Sequence, residues 1–252
     1  MSRPALDCHA HLAPDVSAED VEHLGGALIF AVCRSLAESA WALQRPSDAT
    51  LMWGLGVHPA SRKAITDFSP EIFSRLLPHF VLVGEIGLDR RAGRIAVQQS
   101  VLAEILDRVG SAPVICSLHS SGCAREVVAM LRERRVAAPV LHWFTGSRET
   151  IAEAVDLGCW FSINAAMSDE QLERIPISRA LPETDFPAGP ARFPGDVAPL
   201  EERLRSIWGF GVHEVRNLFA DNLGRLALAG SVVGRLPLGF REAVSDVGSS
   251  PE

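Results

Sequence analysis

The sequence predicts a single α/β domain folded as a closed (β/α)8, or TIM, barrel with an extra C-terminal helix. Three observations carry that prediction. Eight short apolar runs alternate with helix-like stretches along the chain, and such alternation implies a parallel sheet. The length of 252 residues suits one barrel of this kind. No glycine-rich nucleotide fingerprint follows the first run, which weakens an open Rossmann-type sheet.

The strand candidates are ALDCHAH (5–11), ALIFAV (27–32), LMWGLGVH (51–58), FVLVGEIG (80–87), PVICSLH (113–119), APVLHWF (138–144), CWFSIN (159–164) and RALPETD (179–185). Each is short and flanked by turn signals. Helix punctuation fills the gaps. Ser35–Glu38 and Ser168–Gln171 read as capping boxes. Ser69 reads as a cap with Pro70 at the first helical position. Val97, Val101, Leu102, Ile105 and Val109 form one apolar stripe that Gly110 can end, and Ile151 and Val155 do the same before Gly158. The stretch 187–199, PAGPARFPGDVAP, is a proline- and glycine-rich loop followed by helix signals. A further helix is expected at roughly 213–229, with Val215, Leu218, Phe219, Leu223 and Leu226 on one face. The chain reads as one domain over 1–252, with a flexible tail from about residue 243.

Composition narrows the function classes. Hydrophobic residues make up 47% and charged residues 22%, which argues against disorder. The net charge of −7 argues against non-specific gripping of long duplex DNA. Phosphate substrates stay open if metal ions supply local positive charge. The 5 cysteines include no Cys-x-x-Cys pair and fit reduced thiols. The first residues carry no apolar signal region, and the run ALIFAVC is too short to span a bilayer. A soluble cytoplasmic protein with no membrane attachment is expected.

The chemistry lies at the strand ends, where such barrels build their active sites. Alternation along a strand puts Asp7, His9 and His11 on one face. The third strand ends in His58, the fourth carries Glu85 and leads to Asp89, and the fifth and sixth end in His119 and His142. The eighth ends in Glu183 and Asp185. Of the 8 histidines only His23, His79 and His213 fall elsewhere. His9, His11, Glu85, His119, His142 and Asp185 supply four imidazoles and two carboxylates, more than one tetrahedral ion needs. The set suits two divalent ions sharing Glu85, whose two oxygens allow it to bridge. Imidazole with carboxylate favours Zn, Mn, Co, Ni or Fe over Mg or Ca. Lys63 is the only lysine and does not end a strand, so the bridge is not a carbamylated lysine.

The stretches DCHAHL, GLGVHP, VGEIGLD, VICSLHSSG, LHWFTGS, GCWFSIN and ETDFP, in this order over roughly 6–187, resemble the TatD family of metal-dependent deoxyribonucleases. NLFADNLGRL (217–226) is similar to the family's final helix, with Asn222 at its asparagine. The resemblance implies that His9 and His11 hold one ion with Glu85 and Asp185. It implies that His119 and His142 hold the second, with Glu85 shared. Asp185 would also orient or deprotonate the attacking water, Asp7 and Glu183 would fix the orientation of ligands, and His58 would contact substrate phosphate. Two departures stand out. The loop after ETD lacks the family's arginine–asparagine segment, with Arg192 as the nearest substitute, and Ser121 stands where an arginine is common.

The reaction so implied is hydrolysis of a DNA phosphodiester by a water activated by two metals. Arg34, Arg62, Arg90, Arg91 and Arg148 follow strand ends and are candidates for holding flanking phosphates, Arg90 foremost. Few basic clusters favour single-stranded or short oligonucleotide ends over long duplex. Simpler roles compete: Asp89 as a loop cap, Trp143 as a packing residue, Cys8 and Cys116 as small core residues. Two other functions use the same ligands. One is an amidohydrolase acting on a C–N, ester or lactone bond; the other is a barrel that binds nucleic acid or a partner without catalysis.

Overall fold

The computed structural model describes residues 3–245. Eight strands lie at the eight expected runs: β1 Leu6–Ala10, β2 Leu28–Val32, β3 Leu51–Leu55, β4 Leu82–Gly87, β5 Ile115–His119, β6 Ala138–Leu141, β7 Trp160–Ile163 and β8 Ala180–Pro182. They form one sheet in chain order, every neighbouring pair parallel. The sheet nearly closes where the chain leaving β8 meets β1. Asp185 N–H donates to the His9 carbonyl and His11 N–H to the Phe186 carbonyl, each at 2.8 Å. Closure thus falls on the residues that the sequence marks for chemistry.

At least one helix occupies every connection between consecutive strands. The strands are accordingly buried on both faces, as parallel strands between helices must be. Backbones also approach closely at the mouth. A Cβ on Gly56 would lie 1.6 Å from the Cys33 carbonyl oxygen, so only glycine fits there. This approach brings His58 beside β4, where Val57 N–H donates to the Glu85 carbonyl at 2.9 Å.

β1 departs from simple alternation. Between Asp7 and Ala10 its register advances three residues against two on β2, from Ile29 to Ala31. This bulge moves Asp7 onto the face of Ala10, Ile29 and Ala31, which pack together outside the barrel. Asp7 therefore does not share a face with His9 and His11.

The helix punctuation holds with two corrections. Ser168 and Gln171 form the full capping box, and Ser69 caps Pro70–Leu76. Ser35 accepts from Glu38 N–H, but the Glu38 carboxylate takes Arg34 N–H rather than closing the box. The helix Ile95–Val109 buries Gln98, Val101, Leu102, Ile105, Leu106 and Val109, while Val97 is exposed. Gln98 turns inward because it binds the loop after β4, accepting from Asp89 N–H at 2.7 Å and donating to the Asp89 carbonyl at 3.0 Å.

Beyond β8 come helices Ala198–Trp208, Val212–Ala229 and Leu238–Val244. Asn222 donates to the Ile177 and Ala180 carbonyls at 2.8 and 2.7 Å, which pins the long C-terminal helix to the entry of β8. Ala243 and Val244, where the tail was expected to begin, end a helix with their side chains buried. The rest of that expected tail, 246–252, lies outside the described residues. All five cysteines are free and buried. Lys63 pairs with Asp67 on the surface, far from any bridging role.

Candidate metal centre

Glu85 stands at the middle of the barrel mouth, 1% exposed. Each of its oxygens faces a different pair of imidazoles. Oε1 lies 2.5 Å from His119 Nδ1 and 3.0 Å from His142 Nε2. Oε2 lies 3.1 Å from His11 Nε2 and 3.6 Å from His9 Nε2. Asp185 closes the second group, with Oδ1 3.8 Å from His11 Nε2 and 3.9 Å from His9 Nε2. The six residues expected as ligands are thus gathered in one pocket from β1, β4, β5, β6 and the end of β8.

The outer nitrogens of His11, His119 and His9 are held by the surrounding chain, whereas His142 Nδ1 is buried without a hydrogen-bond partner. His11 Nδ1–H donates to the Val32 carbonyl at 3.1 Å. His119 Nε2–H donates to Asp89 Oδ2 at 2.9 Å. A neutral imidazole carries one N–H. The inner nitrogens of His11 and His119 therefore present lone pairs to the carboxylate oxygens of Glu85. Lone pair against lone pair in a buried pocket is unfavourable unless a cation or an extra proton sits between. His9 holds its Nδ1 against Ser117 Oγ at 2.8 Å, and its buried Nε2 has no hydrogen-bond partner; Glu85 Oε2 is likewise orphaned. These residues fit divalent cations: nitrogen and oxygen donors, converging and otherwise unsatisfied.

His58 differs. Ala60 N–H donates to its Nδ1 at 3.0 Å, so its proton sits on Nε2, 3.1 Å from Glu85 Oε2. In this tautomer it presents an N–H to the centre rather than a lone pair, without a formed hydrogen bond to Glu85 Oε2. Burial pushes its pKa down to about 4, which leaves it neutral at neutral pH.

The surrounding carboxylates have separate tasks. Burial would raise Glu85, but the surrounding imidazoles of His11, His119, His142 and His9 outweigh it and hold it well below the usual carboxylate range. Burial pushes Asp185 up to about 6. Its left-handed backbone, φ 48°, is one that aspartate tolerates better than most residues. Glu183 accepts from Ser162 Oγ and from Asn164 Nδ2, and lies 3.6 Å from His142 Nδ1. Asp7 works from outside the barrel. It accepts from His9 N–H, from the Thr184 N–H and hydroxyl, and from Gly195 N–H. It thereby fastens β1 to the chain that carries Asp185 and to the loop beyond, acting on the backbone instead of on a ligand side chain.

Arg90 does not face the centre. Its guanidinium pairs with Glu126 and donates to the Gly122 carbonyl. Arg192 pairs with Asp196. Trp143 packs, half-buried, against the core. Sequence reasoning missed Ser117, Ser162 and Asn164 as holders of His9 and Glu183. Their signal was polar residues at alternate positions in otherwise apolar strands. Asp89 proves to be more than a loop cap: Oδ1 takes Ala92 N–H while Oδ2 holds His119.

A sequence profile of the family described as TatD related DNase matches residues 6–227. The chain belongs to the TatD family. TATDN3 of Mus musculus is 27% identical to this TatD-family chain over 263 residues, covering 88% of it and 87% of that protein. The uncharacterized metal-dependent hydrolase YcfH of Escherichia coli strain K12 is 29% identical, with 70% and 73% covered. A 3'-5' ssDNA/RNA exonuclease TatD of Edwardsiella piscicida is 30% identical, with 68% and 71% covered. The crystal structure of YJJV, a TatD homolog from Escherichia coli K12, superposes with a TM-score of 0.75 at 22% identity, over 88% of this chain and 96% of that one. That last likeness bears on the barrel fold alone. Membership places the chain among metal-dependent hydrolases, which the buried imidazole–carboxylate cluster fits. No helix among the described residues is long and apolar enough to cross a membrane.

Proposed function

We propose that this protein hydrolyses phosphodiester bonds at single-stranded or short ends of DNA, and that Glu85, with an imidazole group on each side of its carboxylate, would hold two divalent metal ions for that task. One observation carries the reading. The inner nitrogens of His11 and His119 face opposite oxygens of the same buried carboxylate, each with its outer N–H already donated. His9 and Asp185 complete one ligand group and His142 the other. Zn, Mn, Co, Ni or Fe suits these donors better than Mg. The name of the 30%-identical exonuclease above supports nucleic acid as the substrate.

Bound metal ions would supply a water made acidic enough to attack at neutral pH, and charge to hold the phosphate oxygens. The chain's own groups do the rest. Asp185, whose carboxylate stands beside His9 and His11, takes the proton of the attacking water. His58 presents Nε2–H as a neutral donor to a phosphate oxygen. Asp89, Ser117 and Glu183 keep His119, His9 and His142 turned inward. A cytoplasmic setting agrees with five unpaired buried thiols.

The test is digestion of end-labelled single-stranded and duplex oligonucleotides by metal-loaded protein, with and without chelator. Stepwise, chelator-sensitive shortening of single strands is expected. Inert oligonucleotides, with turnover of an amide or lactone panel instead, would assign the same centre to amidohydrolase chemistry.

A further inference from the structure

The barrel mouth holds a second concave feature, separate from the metal centre. Arg62, Arg91 and Arg94 line a cavity of about 320 Å³ together with Pro59, Gly93 and Gln98. It lies between the turn after β3 and the turn after β4. None of the three guanidinium groups has a hydrogen-bond or ion-pair partner among the described residues. Acids elsewhere in the chain take up arginines in pairs, as Glu126 does Arg90 and Asp196 does Arg192. In a chain of net charge −7, three unneutralised cations round one hollow form a local positive field.

The hollow adjoins the metal centre and its wall is fixed to it. Ala60 N–H donates to His58 Nδ1, and Ala92 N–H donates to Asp89 Oδ1, each at 3.0 Å. Both alanines also line the hollow. Gln98 ties the second turn down, donating to the Gly93 carbonyl at 2.7 Å. The helix Ile95–Val109 begins here with no side chain capping it, so free N–H groups add to the field.

We propose that this hollow is a phosphate subsite that holds a backbone phosphate of a nucleic-acid strand whose scissile end lies at the metal centre. The proposal rests on the nuclease reading above and names what grips the strand. Guanidinium forks match phosphate oxygens in pairs. They read charge and not base, so the grip is independent of sequence and weakened by salt. Arg90, spent on Glu126, is replaced in that task by its neighbour Arg91 with Arg62 and Arg94.

The test compares metal-loaded wild type with the combined Arg62→Ala, Arg91→Ala, Arg94→Ala variant. The probe is a hydrolysis-resistant phosphorothioate oligothymidylate of about ten nucleotides. Its affinity is followed by fluorescence anisotropy between roughly 50 and 200 mM salt. The triple variant should bind at least about tenfold more weakly, and the slope of log affinity against log salt should fall by about 2, from ~0.7 per lost contact. KM for the cleavable strand should rise in step. Arg135→Ala, in the turn before β6 on the opposite side of the barrel, should change neither; melting temperature and bound metal check that the triple variant folds. Wild-type affinity and slope in the triple variant, or no binding by wild type, would overturn the subsite. Arginine-dependent binding without cleavage would leave the subsite standing and remove the nuclease reading. Cleavage with unaltered KM in the variant would do the reverse.

Discussion

Removing and restoring metal should move the melting temperature of this protein by an amount that its buried atoms set. Metal-free protein keeps His9 Nε2 and Glu85 Oε2 buried without partners. An unsatisfied buried polar atom costs about 1–3 kcal/mol, so relieving these two is worth about 2–6 kcal/mol. Mass action gives a figure inside that range: an ion at about 1,000 times its Kd stabilises the folded state by ~4.1 kcal/mol. For a chain of this length each kcal/mol moves Tm by about 2–4 °C, so the expected rise is about 8–16 °C. The assay is a thermal melt of chelator-stripped protein with and without added Zn or Mn. Glu85→Gln gives the internal comparison. Glutamine offers one carbonyl oxygen and one NH2, so one of the two imidazole groups loses the carboxylate oxygen that would hold a cation with it. The rise in this variant should be less than half that of wild type. A rise below about 2 °C in wild type, or equal rises in both proteins, would refute the reasoning.

Three further outcomes are expected. Asp89→Asn should loosen the orientation of His119 and lower metal affinity about 10–100-fold, read by chelator competition, with little change in the fold. Asp7→Asn sets an NH2 against N–H donors; the Thr184 hydroxyl can turn to accept it but Gly195 N–H cannot, so urea unfolding should show a loss of about 1–3 kcal/mol. Native protein should leave all five thiols unreacted towards a disulfide reagent and release all five on unfolding, because burial holds Cys33, Cys116 and Cys159 up to about 12.

The barrel was legible because each strand is a short apolar run and each run is punctuated. The ligands were legible for a related reason: a histidine or acid at the end of an apolar strand has few places to go except the mouth. What escaped depended on contacts that no local pattern encodes. The bulge in β1 turns Asp7 outward, and nothing in LDCHAHL announces an extra residue in the register. Arg90 is claimed by Glu126, which the turn after β5 and the start of the helix Ala124–Glu133 bring near the loop after β4. Val97 and Gln98 exchange faces because a loop carbonyl and N–H at Asp89 need a buried partner. Ser117 was visible as a polar residue two positions before His119, but its partner, His9, sits 108 residues away. Long-range pairing of this kind follows from the closed sheet, so it became readable only once the strand order was known.

The central claim is that Glu85 joins two cations, one on each side of its carboxylate. Anomalous diffraction from crystals loaded with Mn or Zn tests it most directly. Two peaks are expected, one among Glu85, His119 and His142 and the other among Glu85, His9, His11 and Asp185. A single peak, or peaks that leave Glu85 uncoordinated, would contradict the account.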